Sequence, residues 1–482
     1  MAKKYLPKSS ESSAAEPARR VFSSPSLELH LSRSADQFEC VQLDEPQLFF
    51  GDGQQCVDPR TGLAAFGPYN KSGAANQAQL RVGIVGTSEE IEKSFALLQK
   101  ISGPVGQDPD VDGILHPSFP GLNSSRPFSV DVVTQSSWQK SVSAQALHVA
   151  EKCGDPAAQF AMLSELFAAP VCALGKLEDA PNVVLCAAPA WVERDLLKAA
   201  CAQILPTEIV RDGISAEAEG AREDCATQAW NLSVRLLYKA GLTPWRLAVA
   251  EGDTCFAGIS FCRQQESASP NTWTSFAHMV TDLGRGFVLR GETFERTPDK
   301  EKVETPHLGK DQAAELISRI LEVYRANAGS LPGKVVIHKS SPYSDAERLG
   351  FEHSLRGIER HALVSVMRSG VFFLRPGREP LFRGMAMPFG EKVGLVYTSG
   401  YVPFLRCYPG QQTPHPFEIT ENWGSLTFQE AARDLLRLTK LNWNTSAFCA
   451  EVPVTLDLPG NAYGIFKILG LEYRVLEDRY LR

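Results

Sequence analysis

The sequence predicts an α/β protein, and three observations carry that reading. Strand-then-helix patterning occurs twice in the first half, consecutive strands open the second half, and helices and strands alternate after them. Leu80–Gly86 (LRVGIVG) is a short buried strand. Thr87, Ser88, Glu89 and Glu90 cap the helix that follows, which carries Ile91, Phe95, Leu97 and Leu98 on one face. Val183–Ala187 (VVLCA) is the next strand; Pro189 breaks it, and a helix over Trp191–Ile204 stops before Pro206. These units describe an open α/β sheet.

The second half changes rhythm. Ala226–Ala240 is helical, with Trp230, Leu232, Leu236 and Leu237 apolar. Cys255–Cys262 and Gly286–Arg290 are strands, and Asp311–Ala328 is an amphipathic helix with Leu316, Ile317, Ile320, Leu321 and Tyr324 inward. Lys334–His338 is a strand, Ser344–Ser354 a helix, and Ala362–Met367, Val371–Leu374 and Lys392–Thr398 are further strands. Phe428–Lys440 is a helix, and an apolar segment at Ile465–Leu471 closes the chain. This order is that of a ribonuclease-H-like fold.

Composition limits the function classes. The 482 residues are 43% hydrophobic, enough to bury several cores, which excludes wholesale disorder. No uninterrupted apolar run approaches the roughly 18 residues of a membrane span, the longest candidate being Val183–Val192. The start has no apolar signal region, and eleven cysteines without a CxxC pair point to a reducing cytoplasm. A net charge of −7 argues against bulk electrostatic binding of nucleic acid but leaves room for a local basic groove. Residues 1–42 read as a flexible N-terminal tail, rich in Ser, Ala, Glu and Arg over most of its length.

Common catalytic motifs are missing: there is no GxxxxGK[ST], HExxH or GxSxG. Asp108, Asp110, Asp112 and Gly113 start like a calcium loop, but Phe119 stands where the closing Glu belongs, so they read as a solvated acidic turn. Arg194 and Lys198 are four apart and share a helix face, and Lys239 ends a later helix before Gly241. Singly, such residues usually form a solvated face. Converging from separate elements, they would form an anion pocket suited to phosphate.

Six segments, in order, resemble the short prokaryotic Argonautes, which consist of a MID domain followed by a PIWI domain. They are EPQLFFGDGQQCVDPRTGLAAFGP, DLLKAACAQILPTEIV, AWNLSVRLLYKAGLTPWRL, GKVVIHKSS, YTSGYVP and LTKLNWNTSAFCAEVPVTL. The resemblance covers about residues 44–482. It implies a Rossmann-like MID domain over residues 43–222 and an RNase-H-like PIWI domain over 223–482. It also implies that the MID pocket holds the 5′ phosphate of a guide strand, with Lys198 and Lys239 as the phosphate lysines. Arg194 falls where His or Tyr commonly sits beneath the first guide base. Thr207 and Glu208 stand in the family's "PTQ" segment, with Glu208 in place of Gln. A carboxylate there favours Mg²⁺ bridging it to the phosphate, or else a weakened pocket.

A slicing PIWI domain needs a carboxylate set around two divalent ions. At the matching positions this sequence has Ser260 and Ser340, with Asn461 the nearest candidate for the last ligand. The expectation is an inactive nuclease. The resemblance then implies guide RNA, complementary single-stranded target DNA and an APAZ-containing effector protein as partners. They would form a heterodimer, with higher oligomers on activation. The effector is most often a TIR or sirtuin-like NADase, which would deplete NAD⁺ in antiviral or anti-plasmid defence, and sometimes a nuclease. Two rivals stay open: a stand-alone RNase-H-like nuclease using other carboxylates, and an α/β ligand-binding enzyme unrelated to nucleic acid.

Overall fold

Val82, Ile84 and Val85 are fully buried because their strand lies inside a parallel sheet. In the computed structural model that sheet comprises β1 (Ala78–Gly86), β2 (Val130–Val133), β3 (Gln139–Ser141), β4 (Val183–Ala187) and β5 (Thr207–Val210). β1 pairs with β2, β3 and β4, and β4 with β5, all in parallel. The described residues are 39–69, 78–110, 112–125, 128–211, 224–248, 253–263, 272–281, 284–295, 306–377, 379–410, 412–469 and 474–482; the side chains of 295 and 458–461 are excepted. The tail reading therefore lies outside the described residues up to residue 38. Its last residues, Val41 and Gln42, pair with Ala386 and Met385.

Helix α1 (Ser88–Ser102) leaves β1 through Thr87, whose hydroxyl accepts the Glu90 N–H. Helix α2 (Pro156–Gly175) corrects the sequence reading of apolar length. By length and composition it could cross a membrane, the one such helix among the described residues. Strict run-counting misses it because Gln159, Ser164 and Glu165 interrupt the apolar residues. Its Leu163, Phe167, Val171 and Leu174 are buried in the same cluster as Val184 and Cys186 of the parallel sheet. Helix α3 (Arg194–Cys201) is shorter than the Trp191–Ile204 expectation, since Glu193 and Ala202 already have non-helical backbones.

Helix α4 (Cys225–Lys239) joins the two halves. Asp224 caps it by accepting the Ala226 and Thr227 N–H groups, and Trp230, Asn231, Leu236, Leu237 and Lys239 along it are buried. One hydrophobic core runs from Leu80 and Val82 of the first sheet, through Trp230 and Trp245, to Phe256, Val336 and Trp443 of the second half.

The second sheet contains β6 (Thr254–Arg263), β7 (Thr272–Thr281), β8 (Gly286–Glu295), β9 (Lys334–Lys339) and β10 (Arg360–Arg368). It continues through β11 (Met385–Pro388), β12 (Gly394–Val396), β13 (Phe417–Gly424) and β14 (Val475–Glu477). Its central order is β8–β7–β6–β9–β10, antiparallel across the first two pairings and parallel across the last two. That is the RNase-H-like arrangement. Helices α5 (Lys310–Ala328) and α6 (Asp345–Ser354) make the crossovers to β9 and β10. They pack Leu316, Ile317, Ile320 and Phe351 on Cys255, Ala257, Ile259, Val335 and Ile337. Helix α7 (Phe428–Leu438) buries Ala431, Leu435 and Leu436 in the joint core.

Alternate residues of β6 face the opposite side, where α8 (Val454–Leu469) lies. Gly258 is required there: a Cβ would stand 1.6 Å from the Thr455 carbonyl oxygen. A short helix, α9 (Asp478–Leu481), follows β14. Val371–Leu374 is not a strand; it is irregular, and Phe372 and Leu374 are exposed, because no neighbouring strand takes up the run. β7 and β13, by contrast, escape sequence reading.

Candidate anion pocket and serine-ended sheet

Lys198 sits one turn beyond Arg194 on α3, and the apolar neighbours Leu197, Ala199 and Cys201 draw that part of the helix into the core. Lys198 is 2% exposed, and its Nζ donates to the Thr207 carbonyl oxygen. Strand β5 brings Glu208 beside it. Lys239 Nζ, from the last turn of α4, donates to Glu208 Oε2. Arg235, one turn earlier, donates from Nε to Glu208 Oε1 at 2.8 Å and from Nη1 to the Asn444 carbonyl at 3.2 Å. The exposed Arg194 donates from Nη2 to the Leu481 carbonyl at 2.8 Å and lies 3.7 Å from Asp195.

The structure thus brings Lys198, Thr207, Glu208 and Lys239 together from two helices and a strand, while Arg194, one turn from Lys198, reaches instead to the Leu481 carbonyl. Arg235 is a member that sequence reading missed. Its signal was present, because it stands four residues before Lys239 on a helix and so shares its face. Tyr238, next to Lys239 in the chain, packs in a group with Trp443, Asp478 and Arg482. Tyr238 stacks on Trp443 at 4.7 Å between centroids, and the Arg482 guanidinium lies 5.6 Å from the Tyr238 ring. Nothing in their local sequence marks them, since they meet only through tertiary folding.

Basic side chains outnumber acidic ones here. Burial pushes Lys198 well below the usual lysine range, and the neighbouring Lys239 charge adds to this, while Glu208 opposes it. Burial also lowers Lys239, against the opposing charge of Glu208. Burial alone would raise the Glu208 carboxyl. The charges of Lys239, Arg235 and Lys198, with the Lys239 hydrogen bond, outweigh it and hold the group at about 2. Three basic side chains, Lys198, Arg235 and Lys239, surround this one carboxylate, with Arg194 one turn from Lys198, and make a site for an anion. They do not fit Mg²⁺: both Glu208 oxygens are already engaged by cations, and the Thr207 carbonyl serves Lys198.

On the second sheet, Ile259 of β6 is paired with Lys339 of β9. Ser260 follows Ile259 inside β6, paired with Phe276 on its other side, and Ser340 follows the last residue of β9. Ser260 Oγ is buried without a hydrogen-bond partner among the described residues, and Ser340 is exposed. His338 shares their face. Its Nδ1 is 3.1 Å from Thr455 Oγ1, and burial together with the Lys334 charge drives the ring down to about 3, so it is neutral. Asn461 lies within α8, and its side chain is outside the described residues. Among the described residues no three His, Cys, Asp or Glu side chains gather in a metal-holding group.

No protein-family model matches the sequence, and no curated protein matches it. Solved structures do. Clostridium butyricum Argonaute, bound to a guide DNA (5′ deoxycytidine) and a 19-mer target DNA, aligns with a TM-score of 0.61 at 13% identity, over 91% of this chain and 54% of its own. A. aeolicus Argonaute aligns with a TM-score of 0.54 at 14% identity, over 91% and 54%. Drosophila Piwi aligns with a TM-score of 0.58 at 12% identity, over 92% and 56%. The chain therefore has the fold of the Argonaute and Piwi proteins and spans about half the length of those it matches.

Proposed function

We propose that this chain is a guide-programmed nucleic-acid-binding subunit, a short Argonaute whose PIWI domain does not cut. The observation that carries the reading is the convergence of the buried Lys198 and Lys239 with Arg235 on Glu208, and the exposed Arg194 one turn from Lys198, on an Argonaute-like fold. A terminal phosphate is the ligand of that chemistry: a compact dianion with acceptor oxygens for several charge-assisted hydrogen bonds. The guide is RNA and the target complementary single-stranded DNA. Base pairing supplies sequence specificity, while the protein reads the backbone and the guide end. The solution of the Clostridium butyricum protein with guide and target DNA supports nucleic acid as the partner class. The pocket binds phosphate with its own cations, without the Mg²⁺ that Glu208 suggests from sequence alone.

Ser260 and Ser340 support the absence of cleavage. Neutral hydroxyls cannot neutralise two dications as paired carboxylates do. The output then belongs to a second protein. We infer an APAZ-containing partner in the cytoplasm, carrying a TIR or sirtuin-like NADase, that is switched on by guide–target pairing in antiviral or anti-plasmid defence. The test is NAD⁺ consumption by the co-expressed pair with guide RNA and complementary single-stranded DNA each left out in turn. Consumption only with both present is the expected result. Consumption by this chain alone overturns the division of labour.

A further inference from the structure

Asp478 is fully buried and ties helix α4 to strand β7 and to Arg482. Its Oδ1 accepts the Tyr238 hydroxyl. Its Oδ2 lies 3.3 Å from His278 Nε2 on β7 and 3.0 Å from both Nε and Nη2 of Arg482. His278 Nδ1 in turn is 3.1 Å from the Val454 carbonyl at the start of α8. Gly286 of β8 makes the room: a Cβ there would stand 2.0 Å from Asp478 Oδ2. Burial would raise the Asp478 carboxyl, but the Arg482 charge and the His278 and Tyr238 hydrogen bonds hold it at about 2, so it is an anion.

Two pocket cations depend on this node. Tyr238 directly precedes Lys239, so its hydroxyl bond fixes the rotation of the last turn of α4. Leu481, whose carbonyl holds Arg194, sits on the turn that Asp478 starts, closed by Arg482 N–H donating to the Asp478 carbonyl at 2.9 Å. We propose that Asp478 is the positioning residue of the anion pocket: it ties the Lys239 helix and the Arg194 acceptor to the sheet through His278. The proposal rests on the reading of the pocket as a 5′-phosphate site.

The experiment measures affinity for one RNA carrying either a 5′ phosphate or a 5′ hydroxyl, and takes the ratio. Wild type, Tyr238→Phe, Asp478→Asn and Lys198→Ala/Lys239→Ala are compared as full chains. The ratio is expected to fall about tenfold in Tyr238→Phe and in Asp478→Asn, the scale of one misplaced charge-assisted hydrogen bond. Affinity for the hydroxyl RNA should move less than about twofold, whereas a merely structural role would lower both affinities together. Tyr238→Phe removes one oxygen and keeps the test open should Asp478→Asn fail to fold. A ratio kept in Tyr238→Phe but lost in the lysine variant overturns the positioning role and leaves the pocket reading standing. A wild-type ratio near one overturns both.

Discussion

Lys239 and Glu208 form a buried ion pair, and Arg235 holds the second carboxylate oxygen of Glu208 from one turn further back on the same helix. The carboxylate is thus the internal anion between Lys239 and Arg235. Breaking a buried pair by removing one partner costs about 3–5 kcal/mol, because the remaining charge is left uncompensated. Glu208→Gln is expected to lower the melting temperature, and added inorganic phosphate to restore more of it than in wild type, since phosphate replaces the lost anion. EDTA should change neither protein. Equal phosphate responses, or a response abolished by EDTA, would count against a pocket that works with its own cations.

Acid should unfold the protein through the same carboxylates. Glu208 and Asp478 are held at about 2, against ordinary values of 4.5 and 3.8. Because their folded values are depressed, the stability they contribute is complete above the ordinary values and is lost as pH falls toward about 2. Urea unfolding across this window should show a shallower pH slope in Glu208→Gln and Asp478→Asn than in wild type. Parallel slopes would place the acid sensitivity elsewhere.

Ser260 and Ser340 make a further expectation. Wild-type protein with guide and complementary target should leave the target intact in Mg²⁺ or Mn²⁺, as read on a denaturing gel. Guide-dependent cleavage by a highly purified sample would favour a nuclease using other carboxylates.

Contact between β6 and α8 is testable at one atom. Gly258→Ala places a methyl group 1.6 Å from the Thr455 carbonyl oxygen, so the start of α8 must shift. Overpacking of this kind costs about 1–3 kcal/mol. A urea midpoint unchanged from wild type would mean that α8 does not press on the sheet.

Much of the fold is legible in the sequence because burial on both faces leaves continuous apolar runs, as at Leu80–Gly86 and Val183–Ala187. Strand β7 (TWTSFAHMVT) escapes because Thr274, Ser275 and His278 are polar yet buried, their neighbours being supplied by other elements. Strand β13 (FEITENWG) mixes polar and apolar residues without a clean alternation. Val371–Leu374 reads as a strand on the same local grounds and is not one, because pairing is a tertiary fact. Lys198 and Lys239 were legible through the segments that contain them, and Arg235 through helix spacing. Asp478 was not, since its partners lie 4, 200 and 240 residues away in the chain.

The site at Arg194, Lys198, Arg235 and Lys239 is proposed to hold the 5′ phosphate of a guide. Its most direct test is the nucleic acid that co-purifies from cells with wild type and with Lys198→Ala/Lys239→Ala, analysed for length, sugar and 5′ end. Short RNA with a 5′ phosphate on wild type, and its loss from the double variant, is the expected result. Wild type free of nucleic acid, or both proteins carrying the same RNA in equal amount, would overturn the 5′-phosphate role.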